Sequence, residues 1–177
     1  FAIVLAALDR SGSVLPILCA MAVHELAHIV MMLACGGQVR RLTLRFADLQ
    51  IAASGLGYRQ ELLSALAGPL VNLICGAAFC MQRPSFAAYS LMLGIYNLLP
   101  VWPLDGGRMI RCVLLARLPI TQAEHISEIV SFAACAVLLL IGVFLTFFRK
   151  SGLWPLGTAA YLTVRLLMLA RRTDTVQ

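Results

Sequence analysis

Charge is what this sequence has least of. Asp, Glu, Lys and Arg make up 12% of its 177 residues, whereas 61% are hydrophobic and the mean hydropathy is +0.90. That balance excludes an ordinary soluble domain. Stacking aromatics are missing beside the basic residues, which are scattered among loops, so the net charge of +6 does not signal nucleic acid. The six cysteines, at 19, 35, 75, 80, 112 and 135, show no CxxC spacing and lie mostly in apolar segments. A zinc knot and a disulfide frame are thereby excluded, and buried free thiols are expected. Internal repeats, low-complexity tracts and any linker long enough to divide the chain are also missing, which predicts a single membrane-embedded domain over residues 1–177.

What the chain does have is long apolar runs. A bilayer core of about 30 Å takes roughly 20 apolar residues of helix. Runs of suitable length cover residues 13–35, 61–82, 85–104, 127–148 and 153–170. Residues 1–8 are apolar but too short to span, and they lack the charged region and cleavage site of a signal peptide, so they read as the end of an incomplete first helix. The expected fold class is an all-α polytopic, integral membrane protein, a bundle of about five to six spans in the lipid bilayer. Assigning alternate loops to alternate sides puts nine basic residues on one face and four on the other. By the positive-inside rule the loop after the first run and the one after Asp105 are cytoplasmic, and Arg165 can snorkel to that face.

Inside the first run stands His24-Glu25-Leu26-Ala27-His28. Residues four apart stack on one face of a helix, so His24 and His28 can offer two imidazole nitrogens to one zinc ion at about 2.0–2.1 Å each. Glu25 lies one position round, where a carboxylate can take a proton from water at the metal's open site. The bland alternative is three polar residues that help helices pack. Ionisable groups at mid-bilayer cost at least about 2.5–3.5 kcal/mol each on insertion scales, which makes that a costly glue. Intramembrane His and Asp also mark ion pathways, so a metal transporter or sensor is the rival reading, and Glu25, which simple ligation does not need, separates the two.

A third ligand is best sought in Asn97-Leu-Leu-Pro100-Val-Trp-Pro103-Leu-Asp105-Gly-Gly-Arg108. Two prolines three apart forbid a continuous helix, and broken backbone at membrane depth is tolerated where it is buried in protein or lines a wet cavity. Asp105 is the leading carboxylate, and Gly106 and Gly107 allow the chain to pass close to a metal or substrate. An ordinary turn capped by Asp and Gly-Gly is the alternative. In Ala67-Gly68-Pro69-Leu70-Val71-Asn72, Gly68 permits close helix approach and Asn72 can bond across the bundle. Asn72 and Asn97 are also candidate contacts for substrate backbone. Residues 41–51 alternate, with Leu42, Leu44 and Phe46 pointing one way, then slip at Ala47-Asp48. This reads as a short β-hairpin or bulged strand after the HExxH helix, either a surface ribbon or a substrate-binding edge with Leu44 and Phe46 as contacts. Thr121-Gln-Ala-Glu124 has capping-box spacing and is expected to open the next long helix, with His125 solvated nearby.

HELAH, AGPLVN and NLLPVWPLDGGR, in this order, resemble the site-2 proteases, zinc metalloproteases that cut within membranes. The likeness extends over about residues 10–172 and is nearest the compact branch that includes a sporulation sigma-factor-processing protease. It implies one zinc ion per chain on His24, His28 and Asp105, with Glu25 as the catalytic carboxylate; the charge bias of the loops puts that active site nearer the cytoplasmic side. The likeness also implies a membrane-embedded or membrane-tethered protein substrate, and regulatory membrane proteins as further partners. Ala27 stands where the family often has Gly, and Arg108 where Lys also occurs. Neither a PDZ insertion before Glu61 nor a nucleotide-binding domain of the cystathionine-synthase (CBS) type after Arg172 is expected.

Overall fold

A computed structural model of the chain describes residues 12–45, 48–54, 56–147 and 154–174. The elements run α1 (Val14–Ala34), β1 (Gln38–Arg45), β2 (Asp48–Ser54), α2 (Tyr58–Ala78), α3 (Pro84–Asn97), α4 (Asp105–Leu115), α5 (Ile120–Phe147) and α6 (Trp154–Asp174). They fall into two compact units, Phe1–Leu98 and Leu99–Gln177.

Helix length decides which segments can cross a membrane. At 1.5 Å per residue, the 21 residues of α1 and of α2 each reach about 31 Å and the 28 residues of α5 about 42 Å. Among the described residues these three are long and apolar enough to span. Helix α3, at 14 residues, reaches only about 21 Å, because Pro100 and Pro103 end what the composition alone reads as one run to residue 104. Large apolar side chains point outward along the three long helices, Leu26 and Val30 at 58% and 57% exposed on α1 and Leu140 at 71% on α5. Small residues dominate the inner faces of α2 and α5, Ala65 and Ala67 on the first and Ala123, Ser127, Ser131 and Cys135 on the second, and Ala20 joins the inner face of α1. Between helices in lipid, burial of large apolar groups drives nothing, and small residues that let backbones approach are what packs. The chain is therefore an integral membrane protein.

In the first unit, α1 packs on α2 and α3, and α2 on α3. Gln60 ties the start of α2 to the end of α1: its Oε1 accepts the Gly57 N–H at 2.8 Å while its Nε2 donates to the Cys35 carbonyl at 3.0 Å. Pro84 opens α3 at the position where a missing N–H costs nothing. Strands β1 and β2 pair antiparallel from Arg41–Ala52 to Arg45–Asp48, with the register shift between Val39 and Arg41, away from Ala47-Asp48 where the sequence pattern slips.

In the second unit, α4 packs on α5 and α5 on α6. Helix α5 begins at Ile120, one residue before Thr121, and the Pro119 carbonyl takes the Ala123 N–H at 3.0 Å. Thr121 is thus inside the first turn, past the capping position, and Glu124 accepts from Arg111 at 2.9 Å. The expected capping box is corrected on both residues. His125 is exposed, as expected of a solvated residue. The cysteines are all free, but only Cys112 and Cys135 are buried; Cys19 faces outward because a helix in lipid can present apolar side chains on its outer face, and Cys80 is exposed in the turn after α2.

Candidate metal centre

The inner face of α1 is the row Ala20, His24, His28 and Met32, spaced by four and buried throughout. Four-residue spacing stacks the two imidazoles, and their Nε2 atoms stand 3.1 Å apart. Glu25 is one position further along the helix and half-buried.

Helix α2 supplies the wall behind the pair. Ser64, Gly68 and Asn72, again four apart, form one stripe of small and polar residues on that helix, all buried. His28 Nδ1 donates to the Ser64 carbonyl at 2.7 Å, and Ser64 Oγ donates back to the His28 carbonyl at 3.3 Å. A carbonyl can only accept, so this bond places the proton of His28 on Nδ1 and leaves the lone pair on Nε2. On the other ring, His24 Nδ1 faces the Asn72 amide, with Nδ2 at 3.3 Å. Asn72 has no exposed surface, and its Oδ1 has no hydrogen-bond partner. At Gly68 the helix runs against the rings themselves. A Cβ there would lie 2.6 Å from His28 Cε1 and 2.9 Å from His24 Cε1, and would collide with His28 Nε2.

These observations fit a divalent cation. Metal-bound histidines generally donate their second ring N–H to a carbonyl or carboxylate, as His28 does to Ser64. The Nε2 edges converge, and Gly68 keeps that edge clear of side chain. Two borderline nitrogen donors suit zinc better than calcium or magnesium, which prefer oxygen.

The second unit carries Asp105 at the first position of α4, where the positive end of the helix dipole favours a carboxylate. It is 7% exposed, the one buried acid among residues whose side chains are described, with Arg108 Nη1 at 3.7 Å from its Oδ1. The break before it is held by its own unit: the Trp102 N–H donates to Ser131 Oγ at 3.0 Å, and Ser131 donates on to the Ser127 carbonyl at 2.8 Å. The Trp102–Pro103 peptide is cis, and the Arg111 guanidinium lies 5.8 Å from the Trp102 ring centre. The close approach that Gly107 permits is to the chain's own backbone, since a Cβ there would sit 2.6 Å from the Val101 carbonyl.

Of the expected substrate contacts, Asn72 has its amide on His24, and Asn97 ends α3 with its amide donating to the Leu93 carbonyl at 3.1 Å. The backbone of Leu44 pairs with Leu49 between the strands. Phe46 lies outside the described residues. Ser64 and Ser131 escaped sequence reasoning; the only signal for Ser64 was its place four residues before Gly68.

Residues 83–141 match the family model described as peptidase family M50, a stretch that includes Asp105 but not the histidine pair. The chain is 26% identical over 133 residues to a zinc metalloprotease of Methanocaldococcus jannaschii, covering 68% of this chain and 39% of that protein. It is 28% identical over 138 residues to stage IV sporulation protein FB of Bacillus subtilis, covering 71% of this chain and 47% of that protein. The chain thus spans less than half the length of these curated relatives. Its fold is similar to the solved site-2 protease from Methanocaldococcus jannaschii, with a TM-score of 0.68 and 20% identity over 94% of this chain and 83% of that one. The resemblance to the site-2 proteases is carried by sequence similarity as well as by fold.

Proposed function

From that likeness we propose that the chain is an intramembrane zinc metalloendopeptidase of the site-2 type, a single membrane-embedded domain of five to six spans. It hydrolyses a peptide bond in or near a transmembrane segment of a membrane-embedded or membrane-tethered protein. The observation that carries the reading is the buried His24–His28 pair, with its Nε2 atoms 3.1 Å apart and one ring anchored on a backbone carbonyl. Asp105 is the third ligand in this reading, supported by its burial at the head of α4 and its place in the DGG motif. Nothing in the comparisons favours a transporter.

Zinc, when held by these residues, supplies Lewis-acid polarisation and water activation. Glu25 then acts as the general base: its carboxylate takes the proton of the attacking water and returns it to the leaving nitrogen as the C–N bond breaks. The substrate helix must unwind first, because its own hydrogen bonds shield the scissile carbonyl. A two-stranded sheet has an unpaired edge on each strand, and the 42–51 ribbon is the surface for holding an extended substrate by strand addition, with Leu44, Phe46 and Asn97 as contacts. Arg40 and Arg41 beside it support a cytoplasmic position for that edge and for the active site. Release of a transcription or sigma factor, under control of regulatory membrane proteins, is the corresponding role.

The test pairs zinc content with cleavage in one preparation of Glu25→Gln. Gln is nearly the same size but accepts no proton, so zinc stays and product disappears. General acid–base catalysis is typically worth 10²–10⁴-fold. Undiminished processing of a substrate that wild type cuts removes Glu25 from the mechanism and the proteolytic reading with it.

A further inference from the structure

Ligation accounts for the two histidines but not for the amide buried behind one of them. Asn72 is 0% exposed, its Nδ2 lies 3.3 Å from His24 Nδ1, and its Oδ1 has no partner. The orientation of that amide sets the proton on His24. With Nδ2 donating to His24 Nδ1, the proton of His24 sits on Nε2 and points at the lone pair of His28 Nε2, 3.1 Å away. Turned over, the amide occupies the same volume, but Oδ1 now accepts an N–H from His24 Nδ1, and the His24 lone pair moves to Nε2. Two lone pairs at that distance repel unless a cation lies between them.

We infer that Asn72 is a positioning residue for metal binding: its amide oxygen holds His24 in the Nδ1–H form, with Nε2 directed to the zinc. Ser64 does the same for His28 through a fixed carbonyl, which cannot turn. Both rings are therefore oriented from α2, one by a backbone carbonyl and the other by a side-chain amide. The inference rests on His24 being a metal ligand. Partners that orient metal-bound histidines are worth 10–100-fold in affinity.

The experiment titrates zinc against a chromophoric chelator in the detergent-solubilised full chain, for wild type, Asn72→Leu and Asn72→Asp. Leu keeps the branched shape, though with bulkier methyl groups, and neither accepts nor donates, whereas an ionised Asp accepts only and keeps the size. Zinc affinity should fall 10–100-fold in Asn72→Leu and stay at or above the wild-type level in Asn72→Asp, a rescue that packing alone does not give. With three histidines in the chain, ¹⁵N-imidazole spectra of the zinc-loaded wild type resolve each ring. His24 should show a protonated Nδ1 and a metal-shifted Nε2. Wild-type affinity in Asn72→Leu, or zinc on His24 Nδ1, overturns the inference while leaving the metal site intact. A wild-type chain that takes up no zinc overturns the site reading itself, and this inference with it. Should Asn72→Leu fail to fold, the wild-type spectrum and the Asp variant still decide.

Discussion

Gly68→Ala separates a metal cradle from an ordinary helix interior, because the two predict opposite signs. In the middle of a helix, Ala is favoured over Gly by about 1 kcal/mol, so a residue that merely packs in α2 should gain stability from the change. The geometry argues otherwise. Ordinary van der Waals contact begins near 3.4 Å, and the new Cβ would lie 2.6 Å from His28 Cε1, so the ring must retreat by about 0.8 Å. Zinc–nitrogen bonds are about 2.0–2.1 Å and tolerate roughly 0.2 Å. Overpacking a tight interior costs about 1–3 kcal/mol in addition. We expect zinc affinity at least tenfold weaker and no gain in stability. Gly157→Ala on α6, where an added Cβ meets nothing within 4 Å, is the control: zinc unchanged and stability raised by about 0.5–1 kcal/mol. The assay is chelator competition together with thermal unfolding in detergent. A Gly68→Ala protein that binds zinc like wild type and melts higher refutes the cradle.

Asp105→Asn and His28→Ala should each lower zinc content while Asp48→Asn does not, measured by metal analysis of purified protein; full occupancy in Asp105→Asn would move the third-ligand assignment to Glu61. Ser131→Ala leaves the part-buried Trp102 N–H without its acceptor, which costs about 1 kcal/mol, read as a lowered unfolding midpoint; an unchanged midpoint means that Ser131 does not hold the Pro100–Pro103 break. Leu44→Pro removes one main-chain donor from β1 and should slow cleavage with zinc content intact. Normal turnover by a folded, zinc-loaded Leu44→Pro protein reduces the hairpin to a surface ribbon.

How legible each feature was depends on how far apart its members lie along the chain. The histidine pair was readable because both members share one helix, four residues apart, and helical periodicity places them on one face whatever else the fold does. The break before Asp105 was readable for the same reason, since proline acts on its own turn. Apolar runs marked the long helices, but composition has no boundary signal as sharp as a proline, so the run over 85–104 was read several residues past the end of α3 at Asn97. The capping box at Thr121 misled because spacing alone does not say where a helix starts; the first turn closes on the Pro119 carbonyl, and Glu124 pairs with Arg111 instead.

Sequence by itself determined that this is a membrane chain carrying two imidazoles and a carboxylate on one helix, because hydropathy and four-residue spacing are local properties. Only the tertiary structure decided that the two Nε2 atoms face each other while the Nδ1 atoms face α2. The Ser64 carbonyl that orients His28 lies 36 residues along the chain, the Asn72 amide at His24 lies 48, and the space for both rings exists because Gly68 has no side chain to fill it. Those are contacts between α1 and α2, and a pattern of residues along one helix carries no record of which atom on its neighbour will touch it.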